Sequence, residues 1–90
     1  MIINIKLKVT PEQSRKVQEI AFKNEVYWSA NRNAISYENK PYLYIRRGHI
    51  SHGSELSTYE NSHLNEMDAN LFIQTNGIGI RKILKQKALK

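Results

Sequence analysis

The sequence predicts an α+β domain: a small antiparallel sheet with one main helix packed on one face, followed by a basic C-terminal amphipathic segment. Apolar and polar residues alternate in residues 2–9 and again in residues 42–46, the pattern of strands with one buried face. Residues 10–24 combine a helix-start signal with apolar residues at helical spacing. Residues 81–90 concentrate positive charge, which distinguishes this segment from the domain before it.

The chain length of 90 residues suits one small domain, which we place at residues 1–78, with residues 79–90 as a basic extension. The chain has no cysteine, which excludes a disulfide, a thiolate zinc site and a thiol nucleophile. No apolar run approaches the ~20 residues that span a bilayer, and residues 1–9 lack the unbroken apolar core of a signal peptide. We therefore expect a cytoplasmic protein without membrane contact.

The net charge of +6 is unevenly distributed. The last ten residues hold five cations and no acid, whereas the first eighty hold nine bases and eight acids. Residues 48–80 contain four acidic residues and no Lys or Arg, so we also expect an acidic side. A protein that mimics DNA needs a dense negative surface, and this composition argues against one.

The main helix is predicted to begin at Thr10, which can cap it, with Pro11 at the first helical position and Gln13 three residues after the cap. It should end near residue 24 and pack on the strand formed by residues 2–9. The residues expected on the buried faces of that strand and the helix are Ile3, Ile5, Leu7, Val9, Val17, Ile20 and Ala21.

A second short strand is predicted at residues 26–29, with Trp28 as a core anchor. A polar loop then leads to a β-hairpin, in which Gly48 supplies the positive φ of the turn before residues 49–52 return antiparallel. In the first hairpin strand Leu43 and Ile45 should face the helix. The side chains expected on the opposite face are Tyr42, Tyr44 and Arg46.

The part of the chain after the hairpin is less regular. We interpret residues 53–63 as a loop with a weak strand at residues 57–60, and residues 65–72 as a short helix or turn. The pair Asn76-Gly77 is a stop signal. The extension is predicted to form an amphipathic basic helix with Ile80, Ile83, Leu84 and Ala88 on its apolar side.

Three stretches carry a resemblance to a known group of proteins: TPEQSRKVQEIAF, the pair YW after it, and PYLYI before a Gly turn. Together they cover residues 7–50. This pattern resembles small accessory proteins of tailed phages, and among these a T4-type inhibitor of a host toxin ribonuclease, of the TifA kind, is a candidate relative. The resemblance implies the cytoplasm of a bacterial host as location and a host toxin or defence protein as partner. The basic extension is not part of the shared pattern.

The three histidines, His49, His52 and His63, raise the question of catalysis or metal binding. The spacing of His49 and His52 would suit two zinc ligands only if they lay on a helix. In the predicted strand, side chains three residues apart point to opposite faces. The histidines together with Arg46 and Arg47 are the residue types that a ribonuclease uses. The sequence does not show that they lie close enough together to act on a phosphate. The sequence contains no Walker loop, nucleophile elbow or dinucleotide fingerprint. We expect surface histidines and a protein that is not an enzyme and needs no metal or cofactor.

Two surfaces are candidates for nucleic-acid binding. Aromatic and arginine side chains on an exposed strand can stack bases and contact phosphates; the candidates are Tyr42, Tyr44 and Arg46, with Arg47 and Arg32 nearby. The alternative is that both tyrosines pack against another layer or a second subunit. The extension can bind phosphates by counterion release through Arg81, Lys82, Lys85, Lys87 and Lys90. The alternative for the extension is a solubilising or disordered chain end without a binding role.

From these features we expect a non-enzymatic, phage-encoded accessory (anti-defence) protein that binds RNA or a host protein–RNA complex through a basic surface. The alternative is a protein-interaction inhibitor or a dimeric structural module without nucleic-acid binding. The two differ in salt dependence, because phosphate binding weakens steeply with salt and an apolar interface does not.

Overall fold

A computed structural model describes residues 4–29 and 32–77. The elements in chain order are β1 (Ile5–Lys8), α1 (Pro11–Lys23), β2 (Tyr27–Trp28), β3 (Tyr42–Arg46), β4 (His49–Gly53), α2 (Leu56–Asn61), β5 (Asn65–Glu66) and α3 (Ala69–Gln74). The five strands form one sheet in the order β2-β4-β3-β1-β5. The α+β class with one main helix on one face of the sheet is confirmed.

The sheet is mixed, where the sequence analysis predicted an antiparallel one. The central pairs β1–β3 and β3–β4 are antiparallel, whereas the edge pairs β1–β5 and β2–β4 are parallel. Parallel pairing arises because α1 carries the chain from β1 towards one edge, and α2 carries it from β4 towards the other. Crossovers of the same hand that travel in opposite directions place their helices on opposite faces. This sheet therefore has α1 on one face and α2 on the other.

The start of α1 agrees with the predicted capping box. Thr10 Oγ1 accepts a hydrogen bond from the backbone N–H of Gln13 at 3.1 Å, and Gln13 Oε1 accepts one from Thr10 N at 3.0 Å. The helix ends in a Schellman motif around Glu25, which has φ 62°. In that motif Val26 N donates to Ala21 O at 2.9 Å, which turns the chain directly towards β2.

The core lies between α1, α3 and one face of the sheet. Trp28 is 3 % exposed, which confirms it as a core anchor, and its Nε1 donates to Gln18 Oε1 at 3.2 Å. Gln18 is fully buried and also bonds the backbone N–H and C=O of Ser36, so it ties the loop before β3 to α1. The other large buried side chains of this core are Ile5, Leu7, Val17, Val26, Leu43, Ile45, Ile50 and Phe72.

The hairpin turn is confirmed. Arg47 has φ 52° and Gly48 has φ 80°, so both central residues have the positive φ of a type I′ turn. Leu43 and Ile45 are fully buried on the α1 side of the sheet, as the alternation predicts. The register sets Ile45 against Ile50 and Arg46 against His49.

The chain after the hairpin differs from the prediction in two respects. Residues 57–60 are part of the helix α2 and not a weak strand, and residues 65–66 form the strand β5 where the sequence predicts a helix or turn. Apolar and polar residues do not alternate in the α2 segment, so no pattern supports a strand. Tyr59 is its one buried side chain, and a short helix is sufficient to place that side chain against the sheet. Residues 65–72 contain β5 and most of α3. Asp68 caps α3, because its Oδ1 accepts a hydrogen bond from the backbone N–H of Leu71 at 3.0 Å. Asn76 and Gly77, with φ 52° and 73°, end α3 as predicted.

Three predictions fall outside the described residues. They concern the inward orientation of Ile3, the helical character of the extension, and the position of its cations.

Candidate functional site

The face of the sheet opposite α1, here called the outer face, carries the polar side chains of the three central strands. In the register of the sheet Lys6 lies opposite Tyr44, Lys8 opposite Tyr42, and Arg46 opposite His49. The outer face has two halves: one lies beneath α2, and the other, around Arg46 and His49, borders open clefts.

The half beneath α2 is organised by Tyr59, which is 2 % exposed. Its ring stacks on Tyr42 with centroids 4.7 Å apart and lies 6.2 Å from the ring of Tyr44. The structure therefore has both tyrosines packed against another layer, the alternative to free stacking surfaces. Tyr44 Oη is buried and makes no hydrogen bond within the described residues. Burial raises the pKa of Tyr44 above its usual value, and the nearby Tyr42 adds to this.

Lys6 holds α2 in place, a role that its position in an alternating strand did not indicate. Its side chain is buried, and Nζ donates to Tyr59 O at 2.6 Å and to Ser62 O at 3.2 Å, at the C-terminal end of α2. A cation at that end binds the last carbonyls of the helix, of which Tyr59 O also accepts from Ser62 N, and complements the helix dipole. Tyr59 Oη donates to Glu66 at 2.6 Å. Burial, together with this hydrogen bond and the charge of Glu66, strongly raises the pKa of Tyr59.

The open half borders a cleft of about 810 Å³, here called the basic cleft. Its lining includes Arg46 and Arg47, both exposed, and none of the described residues that line it is acidic. Neither arginine forms an ion pair with the residues that the structure describes. The backbone N–H of Arg47 donates to Asn4 Oδ1 at 3.2 Å, which joins the hairpin turn to the start of β1. The described residues that line it are Asn4, Ser29, Arg46, Arg47, His49, Ile50, Ser51, His63, Leu64 and Asn65.

A second cleft of about 660 Å³, here called the neutral cleft, continues from the first between α2 and the hairpin. The two clefts share Arg46, Ser51, His63 and Leu64. Away from Arg46 and the histidines, the walls of the neutral cleft are hydroxyl, amide and apolar groups. The residues that only the neutral cleft uses are Tyr44, His52, Ser57, Thr58, Asn61 and Ser62.

The three histidines do not form one cluster. His49 and His63 line the basic cleft, whereas the ring of His52 stacks on Tyr37 at 4.0 Å and meets Trp28 edge-on at 6.0 Å. Burial lowers the pKa of His52, with a smaller contribution from the charge of Lys40. Within residues 4–29 and 32–77 no three His, Asp or Glu side chains are grouped as metal ligands.

The predicted site residues that the structure describes are thus divided among three places. Arg46 and Arg47 lie together in the basic cleft, and Tyr42 and Tyr44 lie beneath α2. Arg32 is exposed beyond β2, where its backbone carbonyl accepts from Trp28 N at 3.0 Å, and it lines neither cleft. The five cations of the extension, Arg81, Lys82, Lys85, Lys87 and Lys90, lie outside the described residues.

Sequence reasoning missed the contribution of α2 to the site. Ser57, Thr58 and Asn61 carry no sequence signal of their own, because short polar residues in a segment without periodicity are typical of any loop. The sequence offers His63 only as a residue type, and the structure places it at the junction of both clefts.

Comparisons of the chain with protein families, with curated proteins and with solved structures give no match. In the described part of the chain, no helix combines the length and apolar character that crossing a membrane requires.

Proposed function

We propose that this protein binds RNA, or a host protein–RNA complex, through the basic cleft and the cations of the extension, without catalysing a reaction. The observation that carries the proposal is that Arg46 and Arg47 lie together in one open cleft, whose lining in the described part of the chain includes no acidic residue. Unpaired arginines in such a cleft attract phosphate, since their planar guanidinium groups match its oxygens in a bidentate way.

The surroundings of the two arginines support an anionic ligand. Glu66 is bound to the hydroxyl of Tyr59 on the covered half of the outer face, so its carboxylate is engaged away from the cleft. Glu12 and Glu38 pair with Lys16 and Arg15 of α1, on the other face of the sheet. Because neither Arg46 nor Arg47 forms an ion pair with a carboxylate among the described residues, both remain available to an external phosphate.

The biological role that we propose is that of a phage-encoded anti-defence protein in the cytoplasm of a bacterial host, with a host toxin or defence protein as partner. This part rests on the resemblance of residues 7–50 to tailed-phage accessory proteins. Binding of RNA by a small basic protein fits such a role, because a toxin ribonuclease and its RNA can be engaged together.

The test is fluorescence anisotropy of a labelled single-stranded RNA titrated with protein at several salt concentrations. The variant Arg46→Gln/Arg47→Gln should bind more weakly, and the slope of log affinity against log salt should flatten by about 0.7 for each lost phosphate contact. The single variant Arg46→Gln is measured beside it, and Lys23→Gln is the matched control for this single lost charge, since Lys23 is exposed at the end of α1 on the other face of the sheet.

An affinity and a salt slope that the arginine variant leaves at the parental values would remove the basic cleft from the binding site. In a second variant the five cations of the extension are replaced by Gln. The same titration then measures how much the extension contributes to the affinity for RNA. If no variant and not even the parent binds RNA, the proposal is wrong, and the protein-interaction inhibitor or dimeric module becomes the leading function.

A further inference from the structure

We infer that the neutral cleft is a subsite for the ribose next to a bound phosphate, and that the protein consequently prefers RNA to DNA of the same sequence. This inference rests on the proposed function and deepens it, because it assigns the sugar chemistry of the ligand to residues of α2. The ligand is a single-stranded ribonucleotide segment with one phosphate in the basic cleft.

The first support is the continuity of the two clefts. Arg46 and His63 line both of them, so a phosphate held by Arg46 lies at their junction. The sugar attached to that phosphate must then occupy neighbouring space. On one side this space contains Arg47 and His49, and on the other side it contains the uncharged end of α2.

The second support is the chemistry of the neutral cleft. Ser57, Thr58 and Asn61 are exposed on α2 and form no hydrogen bond through their side chains within the described residues, so their hydroxyl and amide groups are available to a ligand. Such groups donate to and accept from a ribose 2′-hydroxyl, which is the group that distinguishes RNA from DNA at a given site. The cleft volume of about 660 Å³ lies within the ~300–1,000 Å³ usual for ligand sites.

The third support is that the two tyrosines of β3 are packed against other residues and are not free to stack on a base. The ring of Tyr42 stacks on Tyr59, and Tyr44 lies between Tyr59 and Gly53, where a Cβ built on the glycine would come within 3.1 Å of the tyrosine ring. Neither ring offers two free faces between which a base could insert. Discrimination by stacking, which is similar for RNA and DNA, is therefore weaker here than discrimination by hydrogen bonds to the sugar.

The experiment compares a single-stranded RNA with the DNA of the same sequence and length by anisotropy, at one salt concentration. The parent should bind the RNA about tenfold more tightly, the effect of one or two hydrogen bonds. Thr58→Val/Asn61→Ala should lower the affinity for RNA to near that for DNA and leave DNA binding unchanged. Asn39→Ala is the matched control, because Asn39 is also exposed, lies in a turn and lines neither cleft. Circular dichroism verifies that α2 and the sheet persist in each variant.

Three results would overturn the inference. Equal affinity of the parent for RNA and DNA, combined with weaker binding by Arg46→Gln, rejects the ribose subsite and leaves the proposed function standing. Equal loss of RNA and DNA affinity in Thr58→Val/Asn61→Ala assigns α2 to backbone contact and also rejects it. No binding of either strand by the parent rejects the proposed function and the inference together.

Discussion

Replacement of Lys6 by methionine should detach α2 from the sheet, because Met retains the apolar stem of Lys6 and removes its ammonium group. The ammonium donates to Tyr59 O at 2.6 Å and to Ser62 O at 3.2 Å, and both carbonyls would lose this partner. Hydrogen bonds to charged groups contribute about 1.5–3 kcal/mol each. The second bond is longer and only partly buried, so we expect the free energy of unfolding to fall by about 2–4 kcal/mol.

That loss is large for this chain, since domains have roughly 0.05–0.15 kcal/mol of stability per residue. It corresponds to a decrease in Tm on the order of 10–30 °C for a domain of this size. Urea denaturation followed by circular dichroism and by the fluorescence of Trp28 measures it. The matched control is Lys8→Met on the same strand and face, because Lys8 is exposed and approaches Tyr59 only through its ring, at 5.5 Å.

Lys8→Met should cost about 0.5–1 kcal/mol, the contribution of a cation–π contact at an exposed site. If both variants lose the same free energy of unfolding, Lys6 does not cap α2 and the reasoning fails. A replacement that is neutral would mean that desolvation of the buried ammonium offsets its two hydrogen bonds.

Two further predictions concern the turn and the pH dependence. Gly48→Val should destabilise the fold by about 1–3 kcal/mol in thermal denaturation, because a β-branched residue is strained at the φ of 80°; an unchanged Tm would contradict the turn. The pKa of Tyr59 is raised in the fold, so its neutral form is stabilised there; this contribution is complete below the unfolded pKa of ~10 and is lost as pH rises above it. Tyr59→Phe should therefore be less stable than the parent at pH 7 but lose less stability between about pH 9.5 and 11.5. Urea denaturation at several pH values in that range measures this, and an equal decrease in the free energy of unfolding of the two proteins would contradict the raised pKa.

The elements that the sequence predicts are those encoded by local chemistry. The cap at Thr10 needs only Gln13, three residues away, and the turn needs only a residue that tolerates positive φ at Gly48. The alternation of β1 and β3 is likewise visible without a partner strand. Such signals do not depend on what packs against them.

The elements that the sequence does not predict depend on contacts distant in the chain. The helix α2 has six residues and one buried side chain, and Glu55 at its N-cap makes no side-chain capping bond. Its position depends on Lys6, which is 53 residues before Tyr59 in sequence. The parallel pairing of β5 with β1 is of the same kind, because it follows from the path of α2 across the outer face. Periodicity within a segment cannot report either contact.

The candidate site shows the same division. Alternation correctly placed Tyr42, Tyr44 and Arg46 on one face, because that depends only on the pleat of the strand. Which of them is covered depends on where α2 ends. The helix reaches the tyrosines and leaves Arg46 and the turn open, so the face predicted as one aromatic and basic surface is divided into a packed half and a cleft.

This division has a physical consequence for the function. A cation beneath α2 can be satisfied only by carbonyls or a carboxylate that are close by, and Lys6 uses the C-terminal carbonyls of the helix in this way. A cation beyond the end of α2 has no such partner and remains solvated until a phosphate replaces the water. The short helix α2 therefore binds the ammonium of Lys6 in the folded state and leaves the guanidinium of Arg46 free to bind a ligand. Weakening α2 through Lys6→Met should consequently disturb the neutral cleft before it disturbs the basic cleft.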